Sequence, residues 1–172
     1  MSEEDFRKEV ERFFNAKLNE WKLDSFLEVG KTKILTDFTI APDESGKFLL
    51  YAGFLEQDVV IYLKGKHVNL SGDIELFRTD EVKIPFLIAE VKLARNFNIH
   101  QLITYSAIAS KIRTVFPHCL YFMIIQGKRR FKDISLMRHA KSLEVFDDWD
   151  SHKTEISERI RIHLQNLARN SI

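Results

Sequence analysis

Residues 85–93 read Pro-Phe-Leu-Ile-Ala-Glu-Val-Lys-Leu, and the predicted fold is built around this segment. Apolar side chains occupy both alternating sets of positions, a pattern typical of a central strand that is covered on both faces. A helical pattern follows Asn98 and is ended by Pro117, and residues 120–125 form a second apolar run. A strand, a helix and a second buried strand in this order predict a right-handed crossover between parallel strands.

The flanking segments complete the predicted fold. Residues 3–21 place apolar side chains at three- and four-residue steps, as in an amphipathic helix, and a similar helical pattern covers about 151–169. Between residues 26 and 89 the apolar residues recur at steps of about two, and short turns separate the segments, which favours antiparallel strands. We therefore expect an α/β fold: a mixed sheet with antiparallel strands and one parallel crossover, flanked by helices.

Length and composition indicate the class of protein. The chain has 172 residues, of which 45% are hydrophobic. This favours a single domain over 1–172, with its core at about 3–125. Cys119 is the one cysteine, which excludes an internal disulfide framework and a multi-cysteine zinc site. Because no apolar run is long enough to span a bilayer, we expect a cytoplasmic protein without a membrane partner.

The formal net charge of +1 conceals a strongly uneven distribution. Residues 91–132 contain no Asp or Glu, and such a stretch attracts polyanions. Its basic residues are Lys92, Arg95, Lys111, Arg113, Lys128, Arg129, Arg130 and Lys132. We expect these side chains to contact a nucleic-acid backbone, with 127–132 as the closest segment, although a solvated face without a ligand would carry the same charges.

Glu90 and Lys92 are the unusual residues of the central strand. Two residues apart, they leave the same face of the strand, roughly 6.6–6.8 Å from each other. Burying two charges in an apolar strand costs desolvation, so a functional site explains them better than stability does.

A second carboxylate is expected beside Glu90. If the strand that begins near Asp73 forms a hairpin with the central strand, Asp73 comes close to Glu90. Two adjacent carboxylates suit Mg²⁺, and Lys92 would then orient or deprotonate an attacking water. Asp58, in Gln57-Asp58-Val-Val-Ile61, is the alternative partner.

Gln101 and Tyr105 lie four residues apart on the helix that follows, and therefore on one helix face. A glutamine on an otherwise apolar stripe needs a hydrogen-bond partner. One interpretation directs both side chains at the Glu90–Lys92 strand. The other pairs Gln101 with the backbone and makes Tyr105 a core aromatic residue.

Together these residues resemble the PD-(D/E)xK nucleases, a restriction-endonuclease-like superfamily. Gly72-Asp73 is followed by Glu90-Val-Lys92 with sixteen residues between the two acids, and Gly72 stands where the motif often has Pro. Gln101-x-x-x-Tyr105 is similar to the QxxxY element of RecB-like nucleases and of the nuclease domains of type I restriction motor subunits.

The resemblance implies a Mg²⁺-dependent endonuclease, with Mn²⁺ as a substitute cation. It makes Asp73 and Glu90 the metal ligands and Lys92 the catalytic lysine, while Gln101 and Tyr105 support the site or contact DNA. Family members often add an acid from the first helix, and Glu9 is the candidate for that position.

Two functions follow as hypotheses. The first is a deoxyribonuclease that hydrolyses phosphodiester bonds with a metal-activated water, in restriction, repair or recombination. The alternative is a catalytically silent nuclease-fold module that binds DNA or a protein partner. Because the sequence has no obvious target-recognition module, we also expect a homodimer or a partner subunit.

Overall fold

The computed structural model of the protein describes residues 1–65, 75–76, 82–128 and 138–170. They form three helices and six strands. In chain order these are α1 (Glu3–Glu20), β1 (Leu27–Pro42), β2 (Phe48–Leu63), β3 (Glu75–Leu76), β4 (Pro85–Leu93), α2 (Ile99–Val115), β5 (Leu120–Gln126), β6 (Glu144–Phe146) and α3 (Trp149–Asn170).

The strands form one mixed sheet in the order β1-β2-β4-β5-β6. Strands β1, β2 and β4 run antiparallel, β4 and β5 are parallel, and β5 and β6 are parallel. The short strand β3 pairs in parallel with β2 at Leu49 and Leu50. The predicted α/β class and the β4–α2–β5 crossover are confirmed. The parallel strand β6 was missed, because three residues are too few to show a period.

Strand β2 is longer than its sequence indicates. The sequence shows separate strand-like patterns on either side of the polar residues 56–58, whereas the structure has one 16-residue strand through them. An irregularity in the pairing with β1 accommodates these residues without ending the strand. The polar residues thus lie within the sheet.

Helices α1 and α3 cover one face of the sheet, and α2 covers the other. Four-residue spacing brings the buried side chains of α1 onto one stripe: Phe6, Val10, Phe14 and Leu18. Alternate residues of β4, such as Ala89 and Val91, pack into this α1/α3 core. Glu90 and Lys92 therefore belong to the opposite face, beneath α2. In the described ranges no helix is long and apolar enough to cross a membrane.

Phe14 tests the contribution of the α1/α3 core to stability. Its side chain is 1% exposed. Phe14→Ala should lower the free energy of unfolding by about 3–5 kcal/mol, because the lost burial is accompanied by a cavity. Urea denaturation measures this change. The control, Phe38→Ala, removes a side chain that is 55% exposed and should change stability by less than about 0.5 kcal/mol. Equal losses would contradict the assignment of the core.

Candidate active site

A β-bulge in β2 shapes the site. Gly30 pairs with Val60, but Thr32 pairs with Gln57, so β2 has one more residue than β1 between these pairs. The extra residue re-aims the bulged strand and disturbs its alternation. As a result the consecutive side chains of Gln57 and Asp58 both reach polar groups of the α2 face, on Tyr121 and Lys92 respectively.

Asp58 joins β2 to the polar residues of β4. Val59 pairs with Ala89, so Asp58 lies one step further along, opposite Glu90. The Val91 backbone N–H donates to Asp58 Oδ2 at 3.1 Å, and the same oxygen lies 3.6 Å from Lys92 Nζ. Asp58, Glu90 and Lys92 therefore form one cluster across two adjacent strands.

Glu90 is almost fully buried, with 4% of the residue exposed. Burial raises the pKa of its carboxyl group to about 8, and the neighbouring Asp58 carboxylate raises it further than Lys92 lowers it. The Tyr121 hydroxyl lies 3.4 Å from Glu90 Oε1. At neutral pH, and with only these neighbours, Glu90 holds a proton.

Lys92 is held by two carboxylates and faces an aromatic ring. Its Nζ donates to Glu3 Oε1 at 2.9 Å and lies 5.4 Å from the centre of the Tyr105 ring. Burial acts against the charge, but the carboxylates of Asp58 and Glu3 outweigh it and raise the pKa of Lys92. Lys92 is therefore an ammonium group and a hydrogen-bond donor.

The donor set fits a hard divalent cation. No group of three or more His, Cys, Asp or Glu side chains that could hold a metal ion occurs within the described residues. Asp58 and Glu90 nevertheless offer two carboxylates on adjacent strands, and Mg²⁺ is typically held by one or two carboxylates plus waters and phosphate oxygens. The repulsion that raises the pKa of Glu90 is the interaction that such a cation would relieve.

The expected hairpin between the Asp73 segment and the central strand is wrong. β4 lies between β2 and β5, and β3 pairs with the amino-terminal end of β2 instead, at Leu49 and Leu50. Asp73 itself lies outside the described residues. Asp58, the alternative in the sequence, is the acid that the structure brings to Glu90, because β2 continues through the polar interval as one strand.

The structure separates the two residues of the QxxxY element. The Gln101 side chain accepts a hydrogen bond from the Asn98 backbone N–H at 3.1 Å, and Asn98 Oδ1 accepts one from Gln101 N–H in return. This capping box begins α2 and occupies the Gln101 carbonyl oxygen. Tyr105 faces Lys92 and thus reaches the cluster.

Glu9 does not reach the cluster. Its carboxylate accepts hydrogen bonds from Trp149 Nε1 at 2.8 Å and Lys153 Nζ at 3.1 Å, which tie α1 to α3. The acid of α1 that meets the site is Glu3, at the start of the helix. Sequence reasoning missed it because Glu3 fits equally well as a first-turn residue that complements the helix dipole.

The basic residues divide between two ends of α2. Arg95 and Lys128 are exposed and follow the carboxyl ends of β4 and β5, beside Lys92. Lys111 and Arg113 lie within about one turn of the other end of α2, with Lys111 about 15 Å from Gln101 along the helix axis. Lys111 pairs with Asp37 there at 3.7 Å. The remaining basic residues lie outside the described ranges: Arg129, Arg130 and Lys132.

The raised pKa of Glu90 predicts a pH dependence of stability. Between its ordinary value of 4.5 and about 8, the folded protein holds a proton that the unfolded chain releases, so the free energy of unfolding falls as pH rises. Glu90→Gln cannot ionise and should be more stable than wild type by about 4 kcal/mol at pH 8 without divalent cations, and equally stable below pH 4.5.

Urea unfolding in EDTA at pH 4.5 and pH 8 measures this difference. Glu44→Gln, in the exposed turn between β1 and β2, is the matched control and should follow wild type at both pH values. A Glu90→Gln variant that is no more stable than wild type at pH 8 would contradict the buried, protonated state of Glu90.

Comparison with known proteins gives a fold but no family. No protein-family model matches the sequence, and no curated protein matches it. Among solved structures, the chain is similar to a chain of the native BbvCI A2B2 tetramer, a restriction endonuclease, with 13% identity and a TM-score of 0.50. The match covers 70% of this chain and 45% of that chain, so the matched part is less than half of the BbvCI chain. The protein thus has a restriction-endonuclease-like fold.

Proposed function

We propose that the protein is a Mg²⁺-dependent deoxyribonuclease that hydrolyses phosphodiester bonds, with Asp58 and Glu90 as metal ligands and Lys92 as the catalytic lysine. The observation that carries this proposal is the cluster on β2 and β4. It combines two facing carboxylates with a lysine 3.6 Å from one of them, on a sheet of restriction-endonuclease-like fold.

Each residue has a defined task. Asp58 and Glu90 supply anionic oxygens for the cation, with Mn²⁺ as a substitute for Mg²⁺. A bound divalent cation polarises a phosphate oxygen and lowers the pKa of water. Since its pKa is raised, Lys92 acts as a donor that orients the attacking water or the scissile phosphate rather than as its base.

The surroundings of Lys92 support this task. Glu3 and Asp58 fix the ammonium group from two sides, and the Tyr105 ring lies on a third. A charged donor held in this way needs little rearrangement when substrate charge develops beside it. In this proposal Gln101 supports the site indirectly, because it begins the helix that carries Tyr105.

DNA is the proposed substrate because of the charge at this end of the sheet. Arg95 and Lys128 follow the two strands that meet at Lys92, and segment 129–132 continues the basic stretch in the sequence. Contacts to phosphates would come first from these residues, with Lys111 and Arg113 on a more distant part of the same duplex. The BbvCI match is to an A2B2 tetramer, and we extend the proposal to a homodimer or a partner subunit.

Removing either charged side chain should abolish cleavage. Asp58→Asn and Lys92→Ala are expected to lower Mg²⁺-dependent cleavage of plasmid and single-stranded DNA at least about 100-fold, because one loses a ligand and the other a positioned donor. Asp24→Asn and Lys33→Ala change the same residue types at exposed positions and should leave the rate unchanged.

Each assay is run with Mg²⁺, with Mn²⁺ and with EDTA, and circular dichroism verifies folding. Undiminished cleavage by both site variants would refute the proposed mechanism. Retardation of DNA by the wild-type protein without any cleavage would favour the silent binding module instead.

Asp73→Asn distinguishes the two candidate acids. If Asp58 is the first metal ligand, this variant should cleave DNA at close to the wild-type rate and Asp58→Asn should not, since Asp58 is the acid opposite Glu90. The reverse result would return the role to Asp73. The two variants make the same chemical change, so a difference between them reports the position.

A further inference from the structure

Two buried polar side chains, Tyr121 beside Glu90 and Gln57 beside Tyr121, have no task in the proposed reaction. Gln57 is 2% exposed and Tyr121 belongs to the core at 3%. The Tyr121 hydroxyl donates to Gln57 Oε1 at 2.8 Å and lies 3.4 Å from Glu90 Oε1. Buried polar groups are costly unless they are paired, so this chain of contacts needs an explanation.

The Gln57 amide has a fixed direction. Its Nε2 donates to the Glu56 carbonyl oxygen at 3.2 Å, which leaves Oε1 facing the Tyr121 hydroxyl. The bulge in β2 makes this possible, because regular alternation would turn Gln57 to the α1/α3 face. The extra residue in β2 thus adds Gln57 to the face on which Asp58 already lies opposite Glu90.

Tyr121 is the polar neighbour that β5 offers to Glu90. Glu90 pairs with Met123, and the diagonal neighbours on the same face are Tyr121 and Ile125. Of these three side chains, the tyrosine hydroxyl is the strong hydrogen-bonding group. Glu90 has a longer and more flexible side chain than Asp58. Tyr121 on β5 contacts it on one side, and Asp58 on β2 lies on the other.

We propose that Gln57 and Tyr121 form a positioning pair: Gln57 fixes the Tyr121 hydroxyl, and the O–H that this hydroxyl shares between Gln57 Oε1 and Glu90 Oε1 orients the Glu90 carboxylate so that it and Asp58 can bind one divalent cation together. The inference rests on the proposed function. Partners that orient a metal-binding side chain raise its affinity without touching the metal, and their removal typically costs about 10–100-fold in affinity.

Calorimetric titration of the full chain with Mn²⁺ tests the pair. Tyr121→Phe and Gln57→Met should each weaken Mn²⁺ binding by about 10–100-fold. The double variant should bind no more weakly than the weaker single variant, because the two side chains act as one unit. Tyr62→Phe is the matched control: it removes another buried tyrosine hydroxyl, beside Glu28, and should leave binding unchanged.

Cleavage supplies a readout that a structural defect would not reproduce. In Tyr121→Phe the Mn²⁺ concentration for half-maximal cleavage should rise by the same factor as the dissociation constant, while the rate at saturating Mn²⁺ stays close to that of wild type. A lower maximal rate with unchanged half-saturation would refute the positioning role.

The outcomes separate the two proposals. If wild type binds Mn²⁺ and the folded Tyr121→Phe variant binds it equally well, the positioning pair is refuted and the proposed function stands. If wild type binds no Mn²⁺, the metal-dependent function fails and the positioning pair fails with it. Should Tyr121→Phe not fold, Gln57→Met decides in the same way.

Discussion

The Asp58 carboxylate connects the fold to the site. Its Oδ2 atom accepts a hydrogen bond from the Val91 backbone N–H and also lies beside Lys92 Nζ. The same oxygen therefore satisfies a backbone donor of β4 and acts as a counter-ion for Lys92. β4 is covered on both faces, and the Lys92 ammonium group can be buried there because Asp58 on β2 and Glu3 on α1 are carboxylates that pair with it. Without Asp58, Lys92 would have Glu3 as its remaining carboxylate partner among the described residues.

The bulge in β2 is the geometric device behind this arrangement. A regular strand presents every second residue to one face, so consecutive polar residues would be divided between the two cores. The extra residue lets Gln57 and Asp58 share the α2 face while Val59 returns to the α1/α3 core. The strand therefore keeps its apolar burial on both sides and still supplies two adjacent polar groups at one place.

The sequence predicts the centre of the protein better than its periphery. Continuous apolar runs identify β4 and β5, and the charges at Glu90 and Lys92 stand out because they interrupt one of these runs. Asp58 was ranked below Asp73 because a bulge has no signature in hydrophobic periodicity, and the polar residues around Asp58 resemble the end of a strand. The sequence also favoured Glu9 and missed Glu3, since the choice depends on which end of α1 lies over the carboxyl end of β4.

The buried carboxyl group also explains why the site suits a cation. A proton on Glu90 and a divalent cation between Glu90 and Asp58 relieve the same repulsion, so in the proposed enzyme they compete for one carboxylate. In that proposal the protein folds with the proton in place and exchanges it for the cation. Because Lys92 already neutralises part of the charge on Asp58, the proposed cation would compensate mainly the charge of Glu90, the residue that the Tyr121 hydroxyl contacts from β5.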